Sequence, residues 1–246
     1  MEQKGTKMFK KERQELIIGL LKEQKYCSVS MIASSLYVAP ITVRRDLAEM
    51  EANGLISRCH GGATLKNSEN REVPFELRNR ENTNVKSLLG AKAAQMLQDG
   101  DTVFMDASST VLHIADYLHA KQNLTVITNS IKMLEKLKGK QITCYLTGGM
   151  LLENSHALVG NVAEETIMSM YADICFFSSQ GITEDGIITD FSDAETKLRK
   201  QMIRNAKKSV FLYDQSKVGK RFLFKVCDAN DLYTLITNDD ETEESN

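Results

Sequence analysis

From residue 102 to residue 236 the chain alternates short β-branched and aromatic runs with amphipathic helical stretches. This alternation restricts the fold more than any other feature of the sequence. Strands are expected at 102–106, 124–128, 142–146, 174–178, 210–213 and 232–236. Helices are expected at 109–118, 130–137, 161–170 and 193–206, with another ending near Met96 and Leu97 before a turn at Asp99 and Gly100. Such an order builds an α/β domain, a mostly parallel sheet with helices on both faces. Ligands of such sheets bind outside the carboxyl ends of the strands.

Those ends carry the informative residues. Asp106-Ala107-Ser108-Ser109-Thr110 follows the first strand and opens a helix. Hydroxyls and backbone N–H groups at a helix start can cradle a phosphate, or Ser can simply cap the helix. Thr128-Asn129-Ser130 repeats the arrangement, and so does Thr147-Gly148-Gly149, where glycine lets a ligand approach the backbone. Gln180-Gly181 and Asp214-Gln215-Ser216-Lys217 close the series, with Lys217 placed to reach an anion. Together these ends point to a sugar-phosphate pocket. Its candidate residues are Asp106, Ser108, Ser109, Thr110, Asn129, Gly148, Gly149, Gly181 and Lys217.

The first 66 residues have a different grammar. Residues 38–54 read as one helix, with Pro40 at its first position and Gly54 just past its end. Val43, Leu47 and Met50 form its apolar stripe, and Thr42, Arg44 and Arg45 lie off it. Adjacent arginines on an exposed first turn suit a helix entering the DNA major groove, where the guanidinium fork grips guanine or phosphate. A helix is expected over 10–26, carrying Arg13, Leu16, Ile17, Leu20 and Leu21. Ser28 is placed to cap a short second helix with Val29, Ile32, Ala33 and Leu36 inward, and residues 37–39 make the tight turn of a helix-turn-helix. Two short strands at 55–59 and 62–65, about His60 and Gly61, complete a winged helix-turn-helix. The candidate DNA contacts are Ala39, Pro40, Thr42, Arg44, Arg45, Arg58, His60 and Gly61.

Charge follows the same division. The net charge of −2 conceals a first segment (residues 1–66) with 11 Lys and Arg against 7 Asp and Glu, and a remainder with 20 against 26. A basic module on an acidic body touches phosphate with one end only. Residues 67–74 are polar, end in Pro74 and read as a linker to an effector domain at 75–238; residues 239–246 are an acidic tail. No 18-residue apolar run and no basic-then-apolar leader occur, so the chain is expected in the cytoplasm. The cysteines Cys27, Cys59, Cys144, Cys175 and Cys227 are scattered without a Cys-x-x-Cys, which suits a reducing compartment and neither structural zinc nor a disulfide framework.

Residues 13–66 resemble the N-terminal domain of the DeoR family of bacterial transcriptional repressors. The family motif (Val, Ser, two variable residues, then Thr-Ile-Arg-Arg-Asp-Leu) is met by Val38-Ala39-Pro40-Ile41-Thr42-Val43-Arg44-Arg45-Asp46-Leu47. Its Arg-x-His-Gly-Gly-Ala is met by Arg58-Cys59-His60-Gly61-Gly62-Ala63. Ala39 replaces the usual Ser, removing a cap worth about 1 kcal/mol, and Tyr37 stands where Gly or Asn is frequent, which is strained if φ is positive. The resemblance continues through 106–110, Thr128-Asn129, Gly148-Gly149, Gly160, Glu195 and Ser216-Lys217, with Ala107 at a frequent Gly and Arg199 at a usual Lys. It adds Glu195 to the effector candidates. It implies a sensor domain similar to ribose-5-phosphate isomerase, a phosphorylated-sugar effector, repression of a carbohydrate or polyol catabolism operon, and a homodimer or homotetramer spanning paired operator half-sites.

A sugar-phosphate isomerase-like enzyme fused to a DNA-binding domain is the rival reading. Isomerisation needs carboxylates placed for proton transfer, and Ser178-Ser179-Gln180-Gly181 lacks the paired aspartates of that enzyme. Asp106 and Glu195 could serve as acid and base, but hydrogen bonding to sugar hydroxyls is the simpler role. His113, His119 and His156 have neither metal spacing nor a nucleophile partner, and read as surface or packing residues. No catalytic residue, metal or cofactor is expected.

Overall fold

The computed structural model describes residues 9–24, 26–59, 61–65 and 75–238. They belong to two compact units divided between Arg71 and Glu72.

The first unit runs α1 (Lys10–Gln24), β1 (Tyr26–Ser28), α2 (Val29–Ser35), α3 (Pro40–Ala52), β2 (Ile56–Cys59) and β3 (Gly62–Leu65). Local chemistry sets the helix ends. Ser28 Oγ accepts the Met31 N–H at 3.1 Å and caps α2. Pro40 opens α3, and Ala39 before it gives no side-chain cap. Gly54, at φ 72°, ends α3: its N–H reaches the Glu51 carbonyl and the Leu55 N–H reaches that of Met50, both at 2.9 Å. The core joins Ile17 and Leu21 of α1, Ile32 of α2, and Val43, Leu47 and Met50 of α3 with Ile56 and Ala63 of the wing.

The start of the wing departs from the expected pattern. The first helix stops at Gln24 rather than reaching Tyr26. Tyr26 instead opens a strand antiparallel to β3, so the wing is a three-stranded sheet in the order β1-β3-β2. Gly62 makes this possible, because a Cβ there would lie 2.4 Å from the Cys27 carbonyl oxygen.

The second unit begins with α4 (Phe75–Arg80) and α5 (Thr83–Gln95). β4 (Thr102–Met105), a 3-10 helix (Val111–Ala120), β5 (Thr125–Thr128), α6 (Ile131–Leu137) and β6 (Thr143–Leu146) follow. Then come the hairpin β7 (Met150–Leu152) and β8 (Ala157–Val159), α7 (Asn161–Met168), β9 (Ala172–Phe177), β10 (Gly181–Ile182) and β11 (Ile187–Asp190). The unit ends with α8 (Asp193–Arg204), β12 (Ala206–Leu212), β13 (Phe224–Asp228) and β14 (Thr234–Ile236). The expected 109–118 helix is wound as 3-10 and begins two residues later.

The main sheet has the order β14-β12-β9-β4-β5-β6, and every neighbouring pair is parallel. Alternation along each strand feeds two cores. Val103, Met105, Val126, Phe176 and Val210 face α5, the 3-10 helix and α6. Phe104, Ile127, Cys175, Phe177 and Phe211 face α7 and α8. The chain runs outward from β4 through β5 to β6, then returns to β9 on the other side of β4. The strand order therefore reverses between β4 and β9, which is where a crevice opens in sheets of this kind.

Candidate functional site

In the first unit, α3 has a buried side and an open side. Val43, Leu47 and Met50 are buried, whereas Arg44 and Arg45 are exposed and form no ion pair among the described residues. Ala39 and Pro40 are exposed and Thr42 is half-buried. Ile41 lies one turn before Arg44 and Arg45 on the same side and is 69 % exposed, a large apolar group that pattern reading had no reason to single out. Tyr37 holds φ 52° in the turn and is almost wholly exposed, so the strained conformation is real. In the wing, the Arg58 N–H donates to Glu51 Oε1 at 2.9 Å and its guanidinium lies 3.8 Å from Glu51 Oε2. Gly61 is exposed at φ 77°, and His60 lies outside the described residues.

Asp46 shares the Arg-Arg-Asp-Leu run but turns inward. It is fully buried and receives Arg13 of α1 through both Nε and Nη2, the latter at 3.0 Å. Two opposite charges buried together need such two-pronged geometry to offset their desolvation.

In the second unit, a cleft sits at the reversal point of the sheet. Its walls are Ser108, Ser109 and Thr110 after β4, Ser178, Ser179 and Gln180 after β9, Asp190 at the end of β11, Lys217, Arg199 of α8 and Arg78 of α4. Asp106 stands behind them. Its Oδ1 accepts the Ser108 hydroxyl at 2.6 Å and the Ser108 N–H at 3.1 Å, and its Oδ2 takes Arg199 Nε at 2.7 Å. Arg199 Nη1 donates to Asp190 Oδ2 at 2.8 Å, and Nη2 lies 3.7 Å from Glu195 Oε2. The cleft holds about 10 Å³ of free space, room for one water molecule.

Its electrostatics are uneven. Burial opposes the charge of Arg199, but Asp190, Asp106 and Glu195 outweigh that and keep it protonated. Burial pushes the Glu195 carboxyl up, and Arg199 only partly offsets it. Lys217 differs: its amine donates to Gln180 Oε1 at 3.4 Å and forms no ion pair among the described residues. Burial lowers its pKa, Asp214 opposes that, and Arg78 and Lys220 add to the lowering. Lys86, buried behind, is pushed down to about 8 by burial and then by Lys217.

The structure thus brings Ser108, Ser109, Thr110 and Lys217 to one cleft, with Asp106 and Glu195 paired to Arg199. Gly181 packs its backbone on the Lys217 loop, where a Cβ would lie 2.5 Å from the Lys220 carbonyl oxygen. Asn129 and Gly149 stand elsewhere, against the β7–β8 hairpin, and Gly148 faces Val162 of α7. Asn129 Nδ2 donates to the Leu158 carbonyl at 3.1 Å, and a Cβ on Gly149 would meet the Val159 carbonyl oxygen. Sequence reading missed Asp190, Ser179 and Arg78. Asp190-Phe191-Ser192 repeats the grammar of Asp106-Ala107-Ser108, an Asp at a strand end just before a helix, and could have been found that way. Arg78 carries no local signal.

Comparison with known proteins agrees with both units. Residues 13–69 match the DeoR-like helix-turn-helix domain, and residues 81–239 match the DeoR C terminal sensor domain. The HTH-type transcriptional regulator GolR of Listeria innocua is 35 % identical over 232 residues, 94 % of this chain and 91 % of that protein. The lactose phosphotransferase system repressor of Streptococcus mutans is 31 % identical over 236 residues, 94 % and 93 % of the two chains. Among solved structures, ribose 5-phosphate isomerase A from Methanocaldococcus jannaschii is a loose likeness, with TM-score 0.43 and 17 % identity over 57 % of this chain and 56 % of that one. A winged DNA-binding unit followed by a parallel-sheet sensor, each matching its family model, makes this chain a member of the DeoR family of HTH-type transcriptional regulators.

Proposed function

We propose that the chain is a sequence-specific DNA-binding repressor of a carbohydrate or polyol catabolism operon, released when a phosphorylated sugar enters the cleft between β4 and β9. One observation carries the reading. Lys217, an amine without a carboxylate partner among the described residues, faces the hydroxyls and N-terminal backbone of residues 108–110 across a cleft at the sheet's reversal point. That is the chemistry of a phosphate site. Asp106 and Glu195 set the charge behind its walls and Gly181 packs the Lys217 loop, whereas Asn129, Gly148 and Gly149, candidates from the sequence, stand away from this cleft. On DNA, Arg44 and Arg45 divide base and phosphate contacts, with Ala39, Pro40 and Thr42 at the same helix start. Arg58, His60 and Gly61 add wing contacts that contribute affinity more than sequence choice.

The repressor of Streptococcus mutans is named for a lactose phosphotransferase system, which supports a sugar-linked role here. Paired half-sites call for a homodimer or homotetramer, and the site of action is the cytoplasm. Among the described residues no helix is long and apolar enough to cross a membrane. A non-enzymatic role is favoured because the carboxylates nearest the cleft are occupied: Asp106 by Ser108 and Arg199, Asp190 by Ser179 and Arg199. The test is operator release in a gel-shift titration with hexose and pentose monophosphates against their unphosphorylated sugars, alongside a turnover assay. Release by a phosphorylated sugar without turnover supports the reading. Release only by an unphosphorylated metabolite, or turnover at about 1–1000 per second, overturns it.

A further inference from the structure

The cleft is walled on one side by Arg78, a residue of the first helix after the segment that joins the two units in sequence. Helix α4 has six residues. Phe75 is buried, its N–H donates to the Asn154 carbonyl at 2.7 Å, and its ring meets His156 edge-on at 5.8 Å. The Arg78 guanidinium lies 5.8 Å from the centre of the Phe75 ring, and the Arg78 carbonyl accepts Lys86 Nζ. Asn82, just after α4, reaches Asp214 at 3.4 Å, at the start of the Lys217 loop.

Three cations line the cleft: Arg78, Arg199 and Lys217. Arg199 is committed to Asp106, Asp190 and Glu195, and has little left for a ligand. Lys217 and Arg78 are the other cations lining the cleft; Arg78 is buried, and its charge also acts on Glu195. Most of the walls are strand ends anchored in the sheet; α4 is the short element among them.

We propose that Arg78 is, with Lys217, the second cation of the ligand's anionic group, so that occupancy of the cleft is reported directly to the helix from which the chain leads back to the DNA-binding unit. This rests on the sugar-phosphate reading above. A charged hydrogen bond from a planar fork holds a phosphate by two oxygens, so a ligand that engages Arg78 fixes the orientation of α4 as well as its own. The ligand then has a different affinity for the two settings of α4, which any release mechanism requires.

The test uses the full chain, inorganic phosphate, and a panel of hexose and pentose monophosphates. Calorimetry gives their affinity for the wild type, Arg78→Lys, Arg78→Gln and Lys217→Ala. Thermal melting identifies any variant that fails to fold. Hydrogen exchange is followed over residues 75–80. Expected are binding weakened about tenfold or more in Arg78→Gln, partial recovery in Arg78→Lys, and slower exchange in α4 on adding the bound sugar phosphate to the wild type. Folded Arg78→Gln with wild-type affinity, while Lys217→Ala binds about tenfold more weakly, overturns the role of Arg78 and leaves the sugar-phosphate reading standing. So does wild-type binding with no change of exchange in α4. If the folded wild type binds no phosphate in the panel, the reading fails and the role of Arg78 fails with it.

Discussion

The two units each bury an arginine, and they use it differently. In the DNA-binding unit Arg13 meets one carboxylate, Asp46, and the charges cancel in a closed pair linking α1 to α3. In the sensor unit Arg199 meets Asp106, Asp190 and Glu195, at the edge of a cleft whose other wall carries Lys217 and Arg78. The first arrangement is complete without a ligand and works as a fastener. The second holds several charges in near-balance, so a new anion changes which of them face each other. The cations of the first unit that await a partner, Arg44 and Arg45, are kept outside in solvent.

This contrast can be broken at several points. Asp46→Ala strands a buried guanidinium and should cost the first unit about 3–5 kcal/mol, read by denaturant unfolding. Asp190→Asn leaves Arg199 two carboxylates and should cost much less; equal destabilisation would show that both arginines are simple fasteners. Arg44→Ala combined with Arg45→Ala removes exposed groups only. It should weaken operator binding by about 1–3 kcal/mol for each base no longer gripped, and lower the salt slope. Unchanged gel-shift affinity and slope would refute the placement of α3. Lys217→Ala should weaken sugar-phosphate binding by about 1.4 kcal/mol, a factor of ten, and blunt release of the operator; calorimetry with undiminished affinity would remove Lys217 from the site.

The smallest effect sharpens the comparison by pH. Lys86 is pushed down to about 8 in the folded chain from an ordinary 10.5. The unfolded chain therefore binds more protons between these values, and stability from this group is present above pH 10.5 and lost as pH falls through 8. The melting temperature of the wild type relative to Lys86→Met should rise from pH 8 toward 10.5. A flat difference would show that Lys86 is solvated rather than buried behind the cleft.

What was legible in the sequence follows from the range of the forces involved. The ends of α2 and α3 were readable at Ser28, Pro40 and Gly54, because capping and φ preferences act over a few residues. The parallel strands were readable because each feeds one face or the other of a two-sided core. The three residues of β1 were not, since only their pairing with β3 makes them a strand. The sheet β10-β11-β13 was invisible for a similar reason: Ile187 pairs with Asp228, about forty positions away, and no local pattern joins them. In the site, Ser108 to Thr110 and Lys217 were found from strand-end chemistry. Arg78 was not, because its meaning lies in where a short helix happens to be tethered.

The cleft is assembled from loops hung on separate parallel strands: residues 108–110 after β4, 178–180 after β9 and 215–217 after β12. The register of those strands is set by two cores that the loops do not enter. The loops touch one another, Lys217 on Gln180 and Gly181 on Lys220, but they can be rewritten together in evolution without disturbing the sheet beneath. A lineage of such domains can thus reshape its cleft while the strands that carry it stay as they are.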